Sequence, residues 1–255
     1  MSAAMELAPG GSHSYVPGLR FAASAVLATP GHTIERAVLS APVDLPAGYD
    51  RVEAHLRSIG RPMSALCGLE LRMPASLPLA GFTAFNDGYL ARLDRWGLLV
   101  DGVPGLARTN VCPRVGVDAA GIVAWSYTVE RGAGAGRSPS YVVSGVADLP
   151  GGGRYPDDIV RRGETTPDAL REKAAAVVAD VAARIAELGA TWTDDASVHL
   201  YSLHDLTHLV ATELLPAIGV RPTGGIVVHD TAPPTAGLEL EIDVRTYDRE
   251  LYLPA

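Results

Sequence analysis

Residues 166–203 read TPDALREKAAAVVADVAARIAELGATWTDDASVHLYSL, and this stretch decides the fold. Ala, Val and Ile recur at helical spacing from Pro167 to Leu188, with Thr166 placed to act as the N-cap. Gly189 follows, and glycine ends helices because it tolerates a positive φ. The alternating pattern of Ser197–Leu203 is typical of a strand. The stretch therefore predicts a unit made of a helix, a glycine and a strand.

The same unit occurs once more, earlier in the chain. Residues 50–59 predict a helix that ends at Gly60, and residues 65–71 predict an apolar strand. The number of residues that separates Gly60 from Gly189 also separates Leu71 from Leu200. A shared offset across the whole unit indicates that the chain consists of two related halves.

Each half continues with a shorter predicted helix and a pair of predicted strands. The helices are Phe82–Trp96 and Leu206–Ile218, and the strands are 107–115, 122–129, 224–230 and 238–247. The order β-β-α-β-α-β-β predicts an α+β fold, with both helices of a half on one face of a mainly antiparallel sheet. The Gly-rich run 130–140 is the natural joint between the halves.

The composition excludes several classes of function. The 255-residue chain has a net charge of −8, and non-specific nucleic-acid binding needs clustered Lys and Arg. Two cysteines are too few for a disulfide scaffold or a cysteine-based zinc site. The first residues do not resemble a signal peptide, and no apolar run of about 18 residues occurs. We therefore expect a cytoplasmic protein with no nucleic-acid partner and no membrane partner.

Cofactor and metal motifs are weak. Neither GxGxxG nor GxxxxGK[ST] occurs, so no nucleotide cofactor is expected. His204 and His208 stand at i and i+4, the spacing that places two imidazoles on one helical face for zinc. Asp205 occupies the place where a zinc protease has Glu, and no third ligand accompanies the pair. The pattern favours a helix start capped by His204 and Asp205, and no metal is expected.

Three acids share one face of a predicted strand. Glu239, Glu241 and Asp243 alternate with apolar residues, and side chains two residues apart in a strand point the same way. Taken alone, this pattern favours a face turned to solvent. An acid that faces a cleft can instead act as a general acid or base, because desolvation raises its pKa.

Arg108 lies inside an apolar predicted strand. A buried guanidinium without a partner is costly, so Arg108 needs an anion beside it. A structural carboxylate or a substrate carboxylate bound in bidentate fashion would each meet that need.

Runs in both halves resemble the Rid/YjgF family of enamine and imine deaminases. These runs are Phe82–Tyr89, Ala107–Val111, Tyr141–Pro150, Thr166–Gly189 and Pro233–Arg245. Further runs are similar to the tandem branch that contains 2-aminomuconate (2-amino-5-chloromuconate) deaminase. They are Asn110–Pro113, Ser126–Val129, Ile159–Gly163, Ala169–Ala174 and Tyr201–Leu206. The resemblance implies two tandem chorismate-mutase-like units, at 14–130 and 138–250.

The resemblance also implies a site shared between the halves. The family's carboxylate-binding Arg falls on Arg108 and its Asn on Asn86, both in the first half. Its Ser-Gly pair falls on Ser144 and Gly145 and its Glu on Glu241, all in the second half. Each half thus retains a different part of the family's site. Whether the retained parts meet within one chain or between chains is left open.

The implied reaction is hydrolytic deamination of a 2-amino-2-enoate, through its 2-imino tautomer, to a 2-oxo acid and ammonia, without a cofactor. Arg108 would hold the carboxylate, with Asn86 and the Asn110 backbone fixing its orientation. Glu241 would hold the water and move protons. Ser144 and Gly145 would line the other face of the substrate.

An aminomuconate-type substrate has a second carboxylate. Arg161 and Arg162, before the long helix, are the candidates to contact it, and a solvated basic loop is the alternative for them. Two other functions stay open, a chorismatase-like cleavage on the same fold and non-catalytic binding of small carboxylates. The resemblance finally implies a homo-oligomer, most simply a trimer.

Overall fold

The computed structural model describes residues 4–18, 20–132, 139–151, 153–219 and 222–255. Three long helices occur in these ranges, α1 (Leu45–Ser58), α2 (Leu79–Arg95) and α3 (Pro167–Glu187). The strands are β1 (Glu6–Leu7), β2 (His13–Val16), β3 (Ala25–Ala28), β4 (His32–Asp44), β5 (Leu66–Arg72), β6 (Leu99–Val100), β7 (Val103–Pro104), β8 (Ala107–Pro113), β9 (Gly121–Glu130), β10 (Tyr141–Ala147), β11 (Ser197–Ser202), β12 (Ile226–Ala232), β13 (Leu240–Arg245) and β14 (Arg249–Leu253). Most of the predicted Gly-rich joint, residues 133–138, lies outside the described residues.

The two helix–glycine–strand units are confirmed. The Thr166 side chain accepts a hydrogen bond from the Ala169 N–H at the start of α3, and Gly189 after it has a φ of 67°. Helix α1 begins at Leu45 instead of residue 50, because Asp44 caps it by accepting from the Ala47 N–H. Local capping chemistry therefore sets the ends of both helices.

The second predicted helix of the second half is broken. Residues 207–218 form three short helical pieces, the middle one a π-turn at Val210–Leu214. Pro216 lies in the last piece and has no N–H to donate, so the regular helical hydrogen-bond pattern cannot run through it.

One sheet of twelve strands joins the halves. Its order is β1-β2-β3-β10-β13-β11-β12-β8-β5-β9-β4-β14, and β6 and β7 form a separate hairpin. Strands β12 and β8 pair at the centre through the partners Thr231–Pro113 and Ala232–Cys112. Outward from this seam the first half runs β8-β5-β9-β4 and the second runs β12-β11-β13-β10. The innermost pair of each half is parallel, and the next two pairs are antiparallel.

Strands near both ends of the chain pair with the half to which they do not belong in sequence. Strand β3 precedes β4 in sequence but pairs with β10 of the second half, and β14 pairs with β4 of the first half. The second half therefore has one strand of its own before its helix, not the two that its sequence predicts. The N-terminal segment occupies the vacant place beside β10.

Helices cover the outer faces of the sheet, and the inner faces pack against each other. Helix α3 lies over β10 and β13, and α1 lies over β4 and β9. Between the inner faces, Glu70 accepts hydrogen bonds from Arg36 and also pairs with Arg245 of the other half. Burial alone would raise the pKa of Glu70, but these two arginines hold it well below its usual range. The buried Glu70–Arg245 pair therefore links the two halves.

Candidate active site

A cavity of about 290 Å³ lies where β8 of the first half faces β10 and β13 of the second. Polar and charged residues from both halves line it together with Gly145: Arg108, Asn110, Ser144, Arg184 and Glu241. The parts of the site that the sequence assigns to different halves thus meet within one chain. Aromatic and aliphatic side chains complete the walls: Phe21, Leu79, Phe82, Leu149, Tyr155 and Leu238.

Arg108 is a buried cation without a carboxylate partner among the described residues. It is 8% exposed, and its guanidinium lies 4.7 Å from the centre of the Tyr89 ring, with the Phe21 and Phe82 rings nearby. Nη1 donates to the Asn86 Oδ1 atom at 2.6 Å. Burial lowers the pKa of Arg108, and electrostatic interactions with Tyr89 and Glu241 act in the opposite direction. Since no carboxylate of the described chain forms an ion pair with this guanidinium, the cavity is suited to an anion.

The two asparagines differ in position. Asn86 does not line the cavity; its Oδ1 holds Arg108, and its Nδ2 is buried without a hydrogen-bond partner. It is therefore a positioning residue for the guanidinium. Asn110 does line the cavity, while its side-chain Nδ2 donates to the Met73 sulfur at 2.9 Å and its Oδ1 is buried without a hydrogen-bond partner. Of the two asparagines, Asn110 is therefore the one that lines the site.

Ser144 of β10 forms hydrogen bonds beside the cavity with β8 and with the segment at residues 23–24. Its Oγ accepts from the Arg108 N–H at 2.9 Å and donates to the Ala23 carbonyl at 2.6 Å, while its N–H donates to the Ser24 carbonyl. The β10–β13 register shifts between Val143 and Val146, so Ser144 lies in a bulge. Bulges of this kind are common next to active sites, where they redirect side chains. The hydroxyl is fully engaged by backbone and positions Arg108 from the other half.

Glu241 is buried, so the solvent-facing interpretation of its strand is wrong. Leu240, Ile242 and Val244 pack under α3, and Glu241 is on the opposite, inward face at 4% exposure. Burial, with the charge of Asp243, raises the pKa of Glu241 to about 8, against the opposing effects of Arg108, Arg72 and Arg184. At neutral pH its carboxyl is therefore mostly protonated and can donate a proton into the cavity.

Gly145 leaves the space that the Glu241 carboxyl occupies. A Cβ at Gly145 would lie 1.8 Å from Glu241 Oε1, far inside van der Waals contact. A side chain of any size at this position would push the carboxyl out of its place, although the strand itself could remain.

Gly145→Ala is therefore expected to lower kcat by about a hundredfold, because a shift of the carboxyl by an ångström or so misaligns proton transfer. Thermal unfolding should change little, since the far end of one flexible side chain absorbs the clash. The matched control is Gly88→Ala on α2, where an added Cβ meets nothing within 4 Å. A normal kcat in Gly145→Ala would show that the reaction does not depend on the position of the Glu241 carboxyl.

Arg161 and Arg162 lie outside the cavity. Arg161 donates to Glu164 and Glu172, and Arg162 lies 4.0 Å from Asp157, all on exposed surface. These positions match the solvated-loop alternative and give no contact to a ligand in the cavity. The lining cation that sequence reasoning missed is Arg184, whose i,i+4 spacing from Asp180 looks in sequence like an ordinary helix-surface pair.

His204 and His208 have different surroundings, and His208 is exposed. The predicted cap of His204 and Asp205 is not formed as such: Leu206 is the N-cap residue of the short helix and has no side-chain cap. Asp205 Oδ1 accepts from the Thr207 N–H in the turn before the helix, and His204 contacts the Glu239 carboxylate at 2.8 Å. Within the described ranges, no group of three or more His, Cys, Asp or Glu side chains is arranged to hold a metal ion. No helix in those ranges has the length and apolar character that crossing a membrane requires.

Two sequence comparisons with known proteins agree over nearly the full chain. A sequence profile of the family described as 2-aminomuconate deaminase CnbZ matches residues 5–251. The chain is 40% identical to 2-amino-5-chloromuconate deaminase of Comamonas testosteroni, across 99% of this chain and 100% of that relative. A crystal structure of chorismatase shares 16% identity and a TM-score of 0.48, over 88% of this chain and 77% of that one, and this likeness is too distant to inform the site. On the profile and the full-length relative, the chain belongs to the 2-aminomuconate deaminase CnbZ family.

Proposed function

We propose that this protein is a hydrolytic deaminase that converts a 2-amino-2-enoate of the 2-aminomuconate type to the 2-oxo acid and ammonia. The observation that carries the proposal is that two buried residues line one cavity: Arg108, which has no carboxylate partner among the described residues, and Glu241. The family and the name of the 40% identical relative support the same reaction.

Substrate binding begins at Arg108. Its planar guanidinium can hold the carboxylate next to the reacting carbon in bidentate fashion. Asn86 and the aromatic rings hold the guanidinium in place, so little ordering remains to be done when substrate binds. Positioning of this kind can remove several kcal/mol of barrier.

Glu241 then moves protons in a closed cycle. The neutral carboxyl donates a proton to the imine nitrogen, and the resulting carboxylate accepts a proton from the water that attacks the carbon. The carboxyl next protonates the amine of the tetrahedral intermediate. As the C–N bond breaks and ammonia leaves, the carboxylate takes the hydroxyl proton, which yields the 2-oxo acid and restores neutral Glu241. Such proton transfer typically contributes a factor of about 10²–10⁴. Water is the only co-reactant in this scheme, which makes the proposed enzyme a hydrolase without a cofactor.

The proposal extends to the architecture. We assign two tandem Rid/YjgF-like units, at 14–130 and 138–250, and the equal strand order on the two sides of the β8–β12 seam supports this assignment. The retained Arg and Glu then come from different units, as the resemblance implies.

We further propose a homotrimer. Val227 and Val228 of β12 are exposed apolar residues near the middle of the sheet, and the exposed Leu203 follows β11. Their exposure is the observation that supports contact with another chain. Light scattering at micromolar concentration is expected to give three times the chain mass of 26.7 kDa. Val228→Lys should shift the mass towards that of one chain, and a monomeric wild type would contradict the proposal.

Ammonia release tests the function itself. Purified protein is mixed with enzymatically generated 2-aminomuconate, and ammonia and the 2-oxo acid are measured together. The proposal predicts saturable formation of both in equal amounts. A protein that only binds small carboxylates releases no ammonia above the uncatalysed rate. A chorismatase-like enzyme would instead release pyruvate from an enolpyruvyl ether.

A further inference from the structure

Arg184 is the second cation in the lining of the cavity. It lies in the last turn of α3, in the second half, and its side chain is 16% exposed. Of the described residues that line the cavity, Arg108 and Arg184 alone carry a positive charge at neutral pH. The cavity therefore presents two cations, one from each half of the chain, to a ligand with two carboxylates.

The hydrogen bonds of Arg184 leave it able to take a ligand. Nε and Nη2 donate to Asp180 at 3.2 and 3.3 Å, which is long for bonds between charged groups. Nη1 donates to no atom of the described residues, and Arg184 lines the cavity, so this nitrogen can donate to an anion bound there. A carboxylate there would form a shorter, charge-assisted bond than the present ones.

We propose that Arg184 binds the distal carboxylate of a dicarboxylate substrate while Arg108 holds the carboxylate beside the reacting carbon. This inference rests on the proposed function and adds to it the residue that selects diacids over monoacids. It replaces Arg161 and Arg162, whose guanidinium groups lie outside the cavity beside acids of their own loop and helix.

Another cation in the neighbourhood is a weaker candidate. Arg72 lowers the pKa of Glu241, but its Nη1 donates to the Leu71 carbonyl and its guanidinium lies over the Tyr201 ring. It does not line the cavity.

A purely structural role for Arg184 makes a different prediction. If the pair with Asp180 only stabilises the end of α3, then loss of Arg184 should weaken all ligands equally or lower thermal stability. Selective loss of diacid binding is a result that a structural role would not produce.

Two inert ligands separate these possibilities. trans,trans-Muconate and sorbate share the same carbon chain and differ in that muconate has a second carboxylate. Their dissociation constants are measured by calorimetry on wild type and on Arg184→Gln. We expect wild type to bind muconate more tightly, and Arg184→Gln to weaken muconate by roughly ten- to a hundredfold. Sorbate binding should change much less, and Arg184→Lys should recover part of the muconate affinity.

The matched control is Arg171→Gln on the same helix. Arg171 also pairs with an acid of its own helix, Asp168, but does not line the cavity, so both affinities should equal those of wild type. Arg161→Gln provides the competing arm, and a diacid-selective loss there would overturn the assignment to Arg184. Equal weakening of both ligands in Arg184→Gln, or a wild type with no preference for muconate, would also overturn it. Ammonia release by wild type is measured separately, so a failure of this subsite is distinguishable from a failure of the deaminase proposal.

Discussion

Arg108→Ala is expected to lower kcat/KM for 2-aminomuconate by roughly a hundred- to a thousandfold, with most of the loss in substrate binding. The reason is that Arg108 is buried at the cavity wall, has no carboxylate partner in the described chain and is oriented by Asn86. Arg108→Lys should recover little, because a single ammonium cannot reproduce the fork that a carboxylate meets. Steady-state kinetics on protein whose circular dichroism matches wild type make the measurement.

The control for this experiment is Arg114→Ala. Arg114 lies just past the end of β8 and pairs with Asp230 on the exposed surface, away from the cavity. Its loss should leave kcat/KM close to that of wild type, because Arg114 does not line the cavity, and should change stability little, as is usual for exposed ion pairs. A near-normal kcat/KM in Arg108→Ala would show that the carboxylate binds elsewhere.

Glu241→Gln is expected to retain muconate binding and to lower kcat by about 10²–10⁴-fold. The amide preserves the shape and hydrogen-bonding capacity of the carboxyl beside Gly145 but cannot pass a proton to the imine and recover it from water. Calorimetry with muconate and single-turnover ammonia release separate the two effects. Turnover at the wild-type rate would show that another group activates the water.

The same substitution has a signature in stability. The pKa of Glu241 rises from 4.5 to about 8 on folding, so between those pH values the unfolded chain has released a proton that the folded chain still holds. Because the carboxyl ionises more readily in the unfolded chain, the free energy of unfolding of wild type falls as the pH increases through that window. Glutamine cannot ionise, so the melting temperature of Glu241→Gln relative to wild type should rise from pH 4.5 towards pH 8. A flat difference for Glu241→Gln across this range would contradict the raised pKa.

Elements with local signals were predictable from sequence. Thr166 and Gly189 enclose α3, and each acts through neighbours a few residues away, so the helix could be placed closely. The pairing of β3 with β10 could not be predicted, because β3 leads directly into β4 and only the completed sheet shows which strand it joins.

The identity of most site residues could be predicted from the sequence, but their burial and neighbours could not. Alternation shows that Glu241 and Asp243 share a face of β13, but not whether that face meets solvent or the other half of the chain. The same limit explains Arg184, because an i,i+4 pair with Asp180 has the same spacing on an exposed helix face and at a cavity wall. Charge and position in a run make Arg161 and Arg162 candidates, and neither property determines which way a loop turns their side chains.

The most direct test asks whether Arg108 and Glu241 act on one substrate molecule within a single chain. Arg108→Ala and Glu241→Gln proteins are mixed under conditions that exchange subunits, and ammonia release from 2-aminomuconate is compared with that of each variant alone. Wild type mixed with the double variant shows how much activity intact chains keep in mixed oligomers, and it should retain activity in proportion to its share. Because both residues line one cavity of one chain, every site in the mixture carries a lesion, and we predict no recovery. Activity in the mixture well above that of the separate variants, or wild-type activity in either variant alone, would contradict this arrangement.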